Sequence, residues 1–545
     1  MIKATSVQGE SWVKRQWLAA FPPRRPKGNQ DRGIMRDMGD RPDEKALTCT
    51  LPDTFSLFCQ DLPTCPMPGA GLVLVTGASG YIGGRLVPEL LCRGYRVRAM
   101  VRALSPAYSK HWPDAEIATA DALDPASLEP ALEGVDTAYY LIHSLLLGPS
   151  YFSGADIQAA VNFCKAAQKQ RVRRIIYLGG LGDIRASRSP HLKSRMRVAE
   201  ELGRGSTPVT ILRAAIIIGS GSSSYEIIRH LVTRLPVLPI PHWAKNRCQP
   251  VAVRDVVKYL VGAMETPETT GKSFDIGGPE ILTYEGLLRI FAQVIRKRAW
   301  FFDAPFSDIG FYSYLASLFT PVPAPITRAL MEGLRDEVVV SDDEIRRLIP
   351  FEPLSYREAV IRALNREEQD RVYTRWSDAY PPASDLAIKL HEVQGKPGYT
   401  ASRSVLSDKS THRLFGSVCC VGGHTGWFRA NWMWWLRGAF DRLFFGVGTS
   451  RGRRCYSSLE VNDVVDFFRV EDIEPDRRLL LRAEMKLPGK AWLDFTIREE
   501  DGKRRLSVTA HFFTSSWFGN LYWYAFLPLH RFIFQGLVDQ IEKQS

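Results

Sequence analysis

The sequence predicts an α/β doubly wound parallel sheet followed by a smaller α+β domain built on an antiparallel sheet. Three observations carry that prediction. From residue 71 to residue 219, short apolar runs alternate with helical patterns. A glycine-rich turn joins the first of those runs to its helix. After Tyr380-Pro381-Pro382-Ala383-Ser384 the pattern changes to apolar–polar alternation at a period of two. At 545 residues the chain exceeds one core, so two folded domains and a tail are expected.

Residues 1–68 lack either hydrophobic period, and Pro22-Pro23 and Arg24-Arg25-Pro26 break them further. They are expected to form a disordered or targeting extension. The basic bias of the first thirty residues fits a transit peptide, but serine is scarce and there is no apolar core for secretion. Met67, just ahead of the first strand, is an alternative start.

The domain at 69–370 opens with Leu72-Val73-Leu74-Val75-Thr76-Gly77-Ala78-Ser79-Gly80-Tyr81-Ile82-Gly83-Gly84. A strand, a glycine turn and a helix in that order suit a dinucleotide pyrophosphate. Gly77 allows the turn, Gly80 lets backbone approach the phosphates, and Gly83 lets the helix pack closely. The helix N-terminus then presents unpaired N–H groups to the anion. The next strand, 96–101, ends in Arg102, where an acidic residue would select NAD(H). Arginine suits a 2′-phosphate, so NADP(H) is expected over NAD(H).

Further strands are expected at 115–119, 137–142, 174–178 and 209–218, with helices at 152–169 and 191–202. Beyond Gly219 the many prolines imply an irregular, substrate-covering lobe. A linker is expected at 371–409 and the second domain at 410–545. Its meander reads 464–470, 478–485, 492–498 and 505–513, with turns at Pro488-Gly489 and Asp501-Gly502, followed by a long helix at 518–541.

Nine cysteines without a C-x-x-C pair argue against zinc and a disulfide scaffold, so no metal is expected and a reducing compartment is inferred. The formal charge of +12 is concentrated at 165–213, with twelve Lys/Arg against three Asp/Glu, but no nucleic-acid motif accompanies it. No stretch is a clean membrane span. The best candidate, 517–534, is interrupted by Asn520, Pro528, His530 and Arg531 and reads as a buried or interfacial helix, which leaves peripheral membrane contact open. The expected location is cytoplasmic, with organelle targeting by the extension left open; the sequence does not address oligomeric state.

Residues 71–365 resemble the extended and atypical branch of the short-chain dehydrogenase/reductase superfamily. The carriers are Thr76 to Gly83, Asp121-Ala122, Leu212-Arg213-Ala214 with Gly219, and Val251-Ala252-Val253-Arg254-Asp255-Val256. The resemblance implies a Rossmann fold. It places Ser79, Tyr81 and Ile82 in the phosphate loop and Asp121 and Ala122 near the adenine ring. That family works through Tyr-x-x-x-Lys, whose lysine lowers the tyrosine pKa. Here the matching positions are His191 and Arg195, and the partner serine is missing from Tyr177-Leu178-Gly179-Gly180. Either His191 donates the proton while Arg195 orients substrate or phosphate, or Ser189-Pro190 merely caps the helix and the active site is lost.

Residues 410–545 are similar to a domain of unknown function attached to bacterial atypical reductases, and to START-like helix-grip binders. Ala483 to Trp492 and Leu521-Tyr522-Trp523-Tyr524 with Pro528-Leu529-His530 carry this. It implies a ligand cavity, while Trp432, Trp434, Trp435, Phe440, Phe444 and Phe445 fit a filled core equally well. The expected function is an NADP(H)-dependent oxidoreductase for an apolar carbonyl or quinone-like substrate. The alternatives are an NADPH-sensing regulatory or assembly protein and a hydrophobic-ligand carrier.

Overall fold

A computed structural model describes residues 57–67, 69–143, 152–182, 187, 189–368, 374–379, 390, 393, 398–423, 426–427, 431–444, 446–448 and 459–545. The first sheet is built from β1 (Leu72–Val75), α1 (Gly83–Cys92), β2 (Arg96–Val101), β3 (Glu116–Thr119), β4 (Val135–Tyr140), α2 (Phe152–Lys169), β5 (Arg174–Gly180), α3 (Pro190–Gly203), β6 (Val209–Ala214), α4 (Val253–Glu265) and β7 (Ser273–Ile276). Its seven strands run parallel in the order β7-β6-β5-β4-β1-β2-β3. The strand order reverses between β1 and β4, which opens a crevice at their carboxyl ends.

Alternation along β1 sends its side chains to opposite layers. Val73 and Val75 pack with Leu86 and Leu90 of α1 and Val257 and Leu260 of α4. Leu72 and Leu74 pack with Phe163 of α2 and Leu202 of α3. Both faces are therefore dry, as continuous apolar runs require.

The second sheet contains β8 (Tyr399–Ser407), β9 (Val464–Val465), β10 (Phe468–Glu474), β11 (Arg478–Ala483), β12 (Lys490–Glu500) and β13 (Lys503–Phe513). These pair antiparallel in the order β8-β13-β12-β11-β10-β9. Three more helices matter below: α5 (Ile309–Phe319) in the irregular lobe, α6 (Asn431–Leu443), and α7 (Trp517–Gln544). Phe534, Leu537, Val538 and Ile541 of α7 fill the space over Leu479, Leu493, Phe495 and Val508 of the sheet.

Several sequence expectations need correction. Residues 57–67 belong to the fold and not to the extension: Phe58, Cys59 and Leu62 are buried, and the Cys59 amide donates to Glu89 at 3.1 Å. This irregular cover supplies donors to a buried carboxylate, so it has no hydrophobic period to read. Residues 209–218 are not one strand but break after Ala214. The single strand expected at 464–470 is a hairpin, because Asp466 takes a positive φ of 53°. The C-terminal sheet starts inside the expected linker, since β8 pairs with β13 along Tyr399–Ser407. That strand mixes serine, threonine and arginine at a sheet edge, which hid it. Cys92 is disulfide-bonded, where the sequence reading infers a reducing compartment, while Cys59, Cys65, Cys164, Cys248 and Cys420 are free thiols.

Candidate functional site

The glycine loop leaves β1 at the point where strand order reverses. The Thr76 amide donates to the Tyr139 carbonyl at 3.0 Å, and the Thr76 hydroxyl accepts from the Leu141 amide at 3.0 Å, so the ends of β1 and β4 are clamped together. Gly77 takes a φ of +60°, and a Cβ there would stand 2.9 Å from the Leu141 carbonyl oxygen. A Cβ on Gly83 would lie 2.2 Å from the Gly77 oxygen. Both positions require glycine for the fold itself. Gly80 differs, because its Cβ would meet the Gly77 oxygen at 3.1 Å and nothing else within 4 Å. The fold alone gives little reason for glycine there, whereas a phosphate resting on the backbone gives a direct one.

The neighbours of the loop are already engaged. Ser79 hydrogen-bonds the phenol of Tyr108, whose pKa burial pushes up. The Tyr81 carbonyl accepts from Arg85 at 2.9 Å and from the Thr374 hydroxyl at 2.9 Å, and the Arg85 guanidinium covers the Tyr81 ring at 4.2 Å. Arg85 also reaches the Ser220 carbonyl at 3.0 Å, so a buried arginine staples three segments beside the loop. Ile82 stands at the N-terminal boundary of α1 without a capping side-chain bond and packs on the core. Arg102 is exposed just past β2. Asp121 follows β3 and accepts from the Leu123 amide at 2.9 Å, while buried Ala122 accepts from Asn162 at 3.0 Å. All of these lie along one carboxyl edge of the sheet.

His191 and Arg195 come from the first turns of α3, which Ser189 caps through the Leu192 amide at 3.3 Å with Pro190 at the first helical position. Arg195 bonds the Ile142 carbonyl at 3.3 Å and the Leu178 carbonyl, and lies over the Tyr177 ring at 5.0 Å. The guanidinium thus ties the ends of β4 and β5 to α3. The His191 ring lies 5.0 Å from that of His143, which stands 3.2 Å from the buried carboxylate of Asp156. Burial, His143 and Arg195 hold the His191 pKa well below its ordinary value, and burial followed by Arg195 lowers that of His143. Both imidazoles are neutral at neutral pH.

Sequence reasoning missed His143 and Asp156. A usable signal was present, because a histidine directly after the fourth strand falls at the switch point of a doubly wound sheet.

Beyond His191 opens an apolar cavity of about 200 Å³ under the irregular lobe. Ile216, Ile228, Leu231, Leu238 and Tyr312 line it, and His191 is part of its wall. The cavity and the switch-point cluster therefore share one side chain.

Residues 70–333 match the NmrA-like family, and residues 394–537 match a family described only as a protein of unknown function, DUF2867. Residues 70–333 form an NmrA-like domain. Its sheet is Rossmann-like, and the DUF2867 match covers the second sheet and most of α7. The chain is 24% identical over 229 residues to the photosystem II assembly factor Ycf39 of Trieres chinensis, covering 42% of this chain and 70% of that one. It is 26% identical over 242 residues to NADH dehydrogenase [ubiquinone] 1 alpha subcomplex subunit 9 of Arabidopsis thaliana, covering 43% of this chain and 60% of the relative. Among solved structures, the Citrobacter sp. triphenylmethane reductase complexed with NADP(H) aligns at 22% identity and a TM-score of 0.45, over 53% of this chain and 99% of that one.

Proposed function

We propose that this protein is an NADP(H)-dependent oxidoreductase acting on an apolar carbonyl or quinone-like substrate held in the cavity beside His191. The observation that carries the reading is the double membership of His191, which faces both the apolar cavity and the His143–Asp156–Arg195 cluster at the carboxyl edge. The open space over Gly80 fits a dinucleotide whose diphosphate rests on residues 77–83, and Arg102 would meet the 2′-phosphate. Bound there, a nicotinamide supplies or accepts the hydride.

The chain's own residues handle the proton and exclude water. A neutral His191 can polarise a carbonyl by donating its N–H, or take a proton when the substrate is an alcohol. Arg195 acts as a positioning residue by fixing the strand ends against α3. His143, 5.0 Å away ring to ring and itself 3.2 Å from Asp156, is the polar neighbour of His191.

His191→Gln is expected to lower turnover of long-chain aldehydes or quinones by about 10²- to 10⁴-fold, with NADPH affinity unchanged. Unchanged turnover overturns the role of His191. Because its folded pKa is depressed, the neutral form persists as pH falls below 6.5 and is lost only further down, so the acid limb of turnover should lie below that of a free imidazole. Arg102→Ala should reduce the preference for NADPH over NADH by about ten-fold or more.

A second reading, an NADPH-sensing protein without turnover, has its own support. The Lys110 and His111 side chains, in the segment after Arg102, meet Glu460 of the second domain at 3.6 and 2.8 Å. The nucleotide end of the crevice is thereby joined to the C-terminal sheet. NADPH binding that alters hydrogen exchange at 459–470, with no turnover of any substrate, would favour this reading.

A further inference from the structure

The second domain carries large aromatic side chains on its outside. Along α6, Trp432, Trp435, Leu436, Phe440 and Leu443 recur at helical spacing, and all are exposed, the two tryptophans at 65% and 66%. The opposite side of the same helix packs Met433 and Trp434 inward. Along α7, Trp517, Leu521 and Tyr524 of the first half and Phe532 just past the middle form a second exposed stripe, led by Trp517 at 76%. A monomer seldom leaves so much aromatic surface in water.

The two stripes flank one loop. The Lys486 carbonyl accepts from Arg437 of α6 at 2.6 Å, and its amide donates to Asp441 at 2.7 Å. Two residues on, the Pro488 carbonyl accepts from Thr514 at 2.7 Å, just ahead of α7, which Ser516 caps. The loop therefore draws the start of α7 and the side of α6 to the same end of the domain.

Charge on this surface has one sign. The sequence contains no Asp or Glu from Lys409 to Phe440, nor from Thr514 to Val538. Asp441 is buried and held by Arg437, Gly448 and Lys486. Among the described residues, the exposed ionic groups beside the two stripes are Lys486, Lys490 and Arg531. Tryptophan and tyrosine at the rim of an apolar stripe, with lysine and arginine around it, is the pattern of a surface that sits at a bilayer interface. A second copy would bring the same positive groups against each other, and no helix among the described residues is long and apolar enough to cross a membrane.

We propose that α6, the Lys486–Gly489 loop and the start of α7 form a docking surface for an anionic lipid bilayer, with the aromatic rings inserted at headgroup level. The surface adjoins the NmrA-like domain through α5, where Tyr314 donates to the Leu443 carbonyl at 3.3 Å and Arg442 donates to the Leu318 carbonyl at 2.9 Å. Tyr312, Leu315 and Ala316 of the same helix line the apolar cavity. Docking does not depend on the redox reading, because it is measured without substrate or nucleotide.

The test is co-sedimentation of the full chain with vesicles of phosphatidylcholine alone or mixed with phosphatidylglycerol. The wild type should partition about ten-fold or more in favour of the anionic vesicles. The combined Trp432→Ser, Trp435→Ser and Trp517→Ser variant should lose about ten-fold or more of that binding, and so should Lys486→Glu with Arg531→Glu. All five side chains are exposed or at the surface, and circular dichroism checks the fold. As a measurement on unaltered protein, brominated lipid should quench its tryptophan fluorescence. Failure to sediment with either vesicle, absence of quenching, or a wild-type dimer that the tryptophan substitutions dissolve would each overturn the proposal.

Discussion

The two sheets of this molecule treat their second faces in opposite ways. In the NmrA-like domain both faces are dry, with Leu74 packed into one apolar layer and Val73 into the other. Only the strand ends are left open, and His143, His191 and Arg195 gather there. In the C-terminal sheet one face is apolar under α7. The other carries Arg469, Glu484, Arg482, Glu471 and Trp492 in a buried polar network. A sheet sealed on both sides acts through a crevice at its edge. A sheet with an ionic face uses that face to meet a neighbour, and here the Arg469 guanidinium donates to the Ser377 carbonyl at 3.0 Å in a segment that also reaches the first domain.

Removing a partner from that network should produce the largest effect on stability. Arg469 and Glu484 have side chains only 1% and 3% exposed and lie 2.6 Å apart. Arg469→Met leaves a buried carboxylate short of its main partner, so denaturant unfolding should show a loss of about 3–5 kcal/mol. A loss near zero would mean that the ionic face is as tolerant as a solvated surface, and the contrast between the sheets would fail.

A smaller effect of opposite sign is expected at Asp378. Burial, with Asp463 adding to it, pushes this carboxyl up to about 6. Its folded pKa lies above the ordinary value, so its contribution is intact below about pH 4 and is lost as pH rises through 6. Asp378→Asn should therefore stabilise the protein by about 1–3 kcal/mol near pH 8 and leave it unchanged near pH 4, as read by thermal unfolding at the two pH values. Equal effects at both would sharpen the comparison differently, by assigning the residue to packing and not to charge.

The difference between the sheets also explains what the sequence revealed. Parallel strands buried on both faces read as apolar runs, so β1, β2 and β5 were legible, and the glycine turn stood out because Gly77 and Gly83 leave no room for a Cβ and Gly80 completes their spacing. Strand β7 escaped because Ser273-Phe274-Asp275-Ile276 carries a buried aspartate at 2% exposure, paired with Arg213 at 2.7 Å, inside an otherwise apolar position. Strand β8 escaped because an edge strand need not alternate. Residues 57–67 escaped because an irregular cover is specified by its partners, Glu89 and Glu265, which accept from Cys59 and Thr64 and lie far along the chain. At the site, His191 and Arg195 could be found because they stand where the resembling family carries Tyr-x-x-x-Lys. His143 and Asp156 are brought to His191 only by the ordering of β4 against β5 and by the placement of α2, which is tertiary information.

The proposal for the first domain rests on Gly80, where a Cβ would meet the Gly77 oxygen at 3.1 Å and nothing else within 4 Å, against 2.9 Å at Gly77 and 2.2 Å at Gly83. Calorimetric titration of NADPH into the full chain and into its Gly80→Val variant tests it most directly, with circular dichroism confirming that both are folded. The expected result is saturable binding by the wild type and affinity about ten- to a hundred-fold weaker in the variant. Equal affinity in the two proteins, or no uptake by the wild type, would contradict a backbone cradle for the diphosphate at residues 77–83.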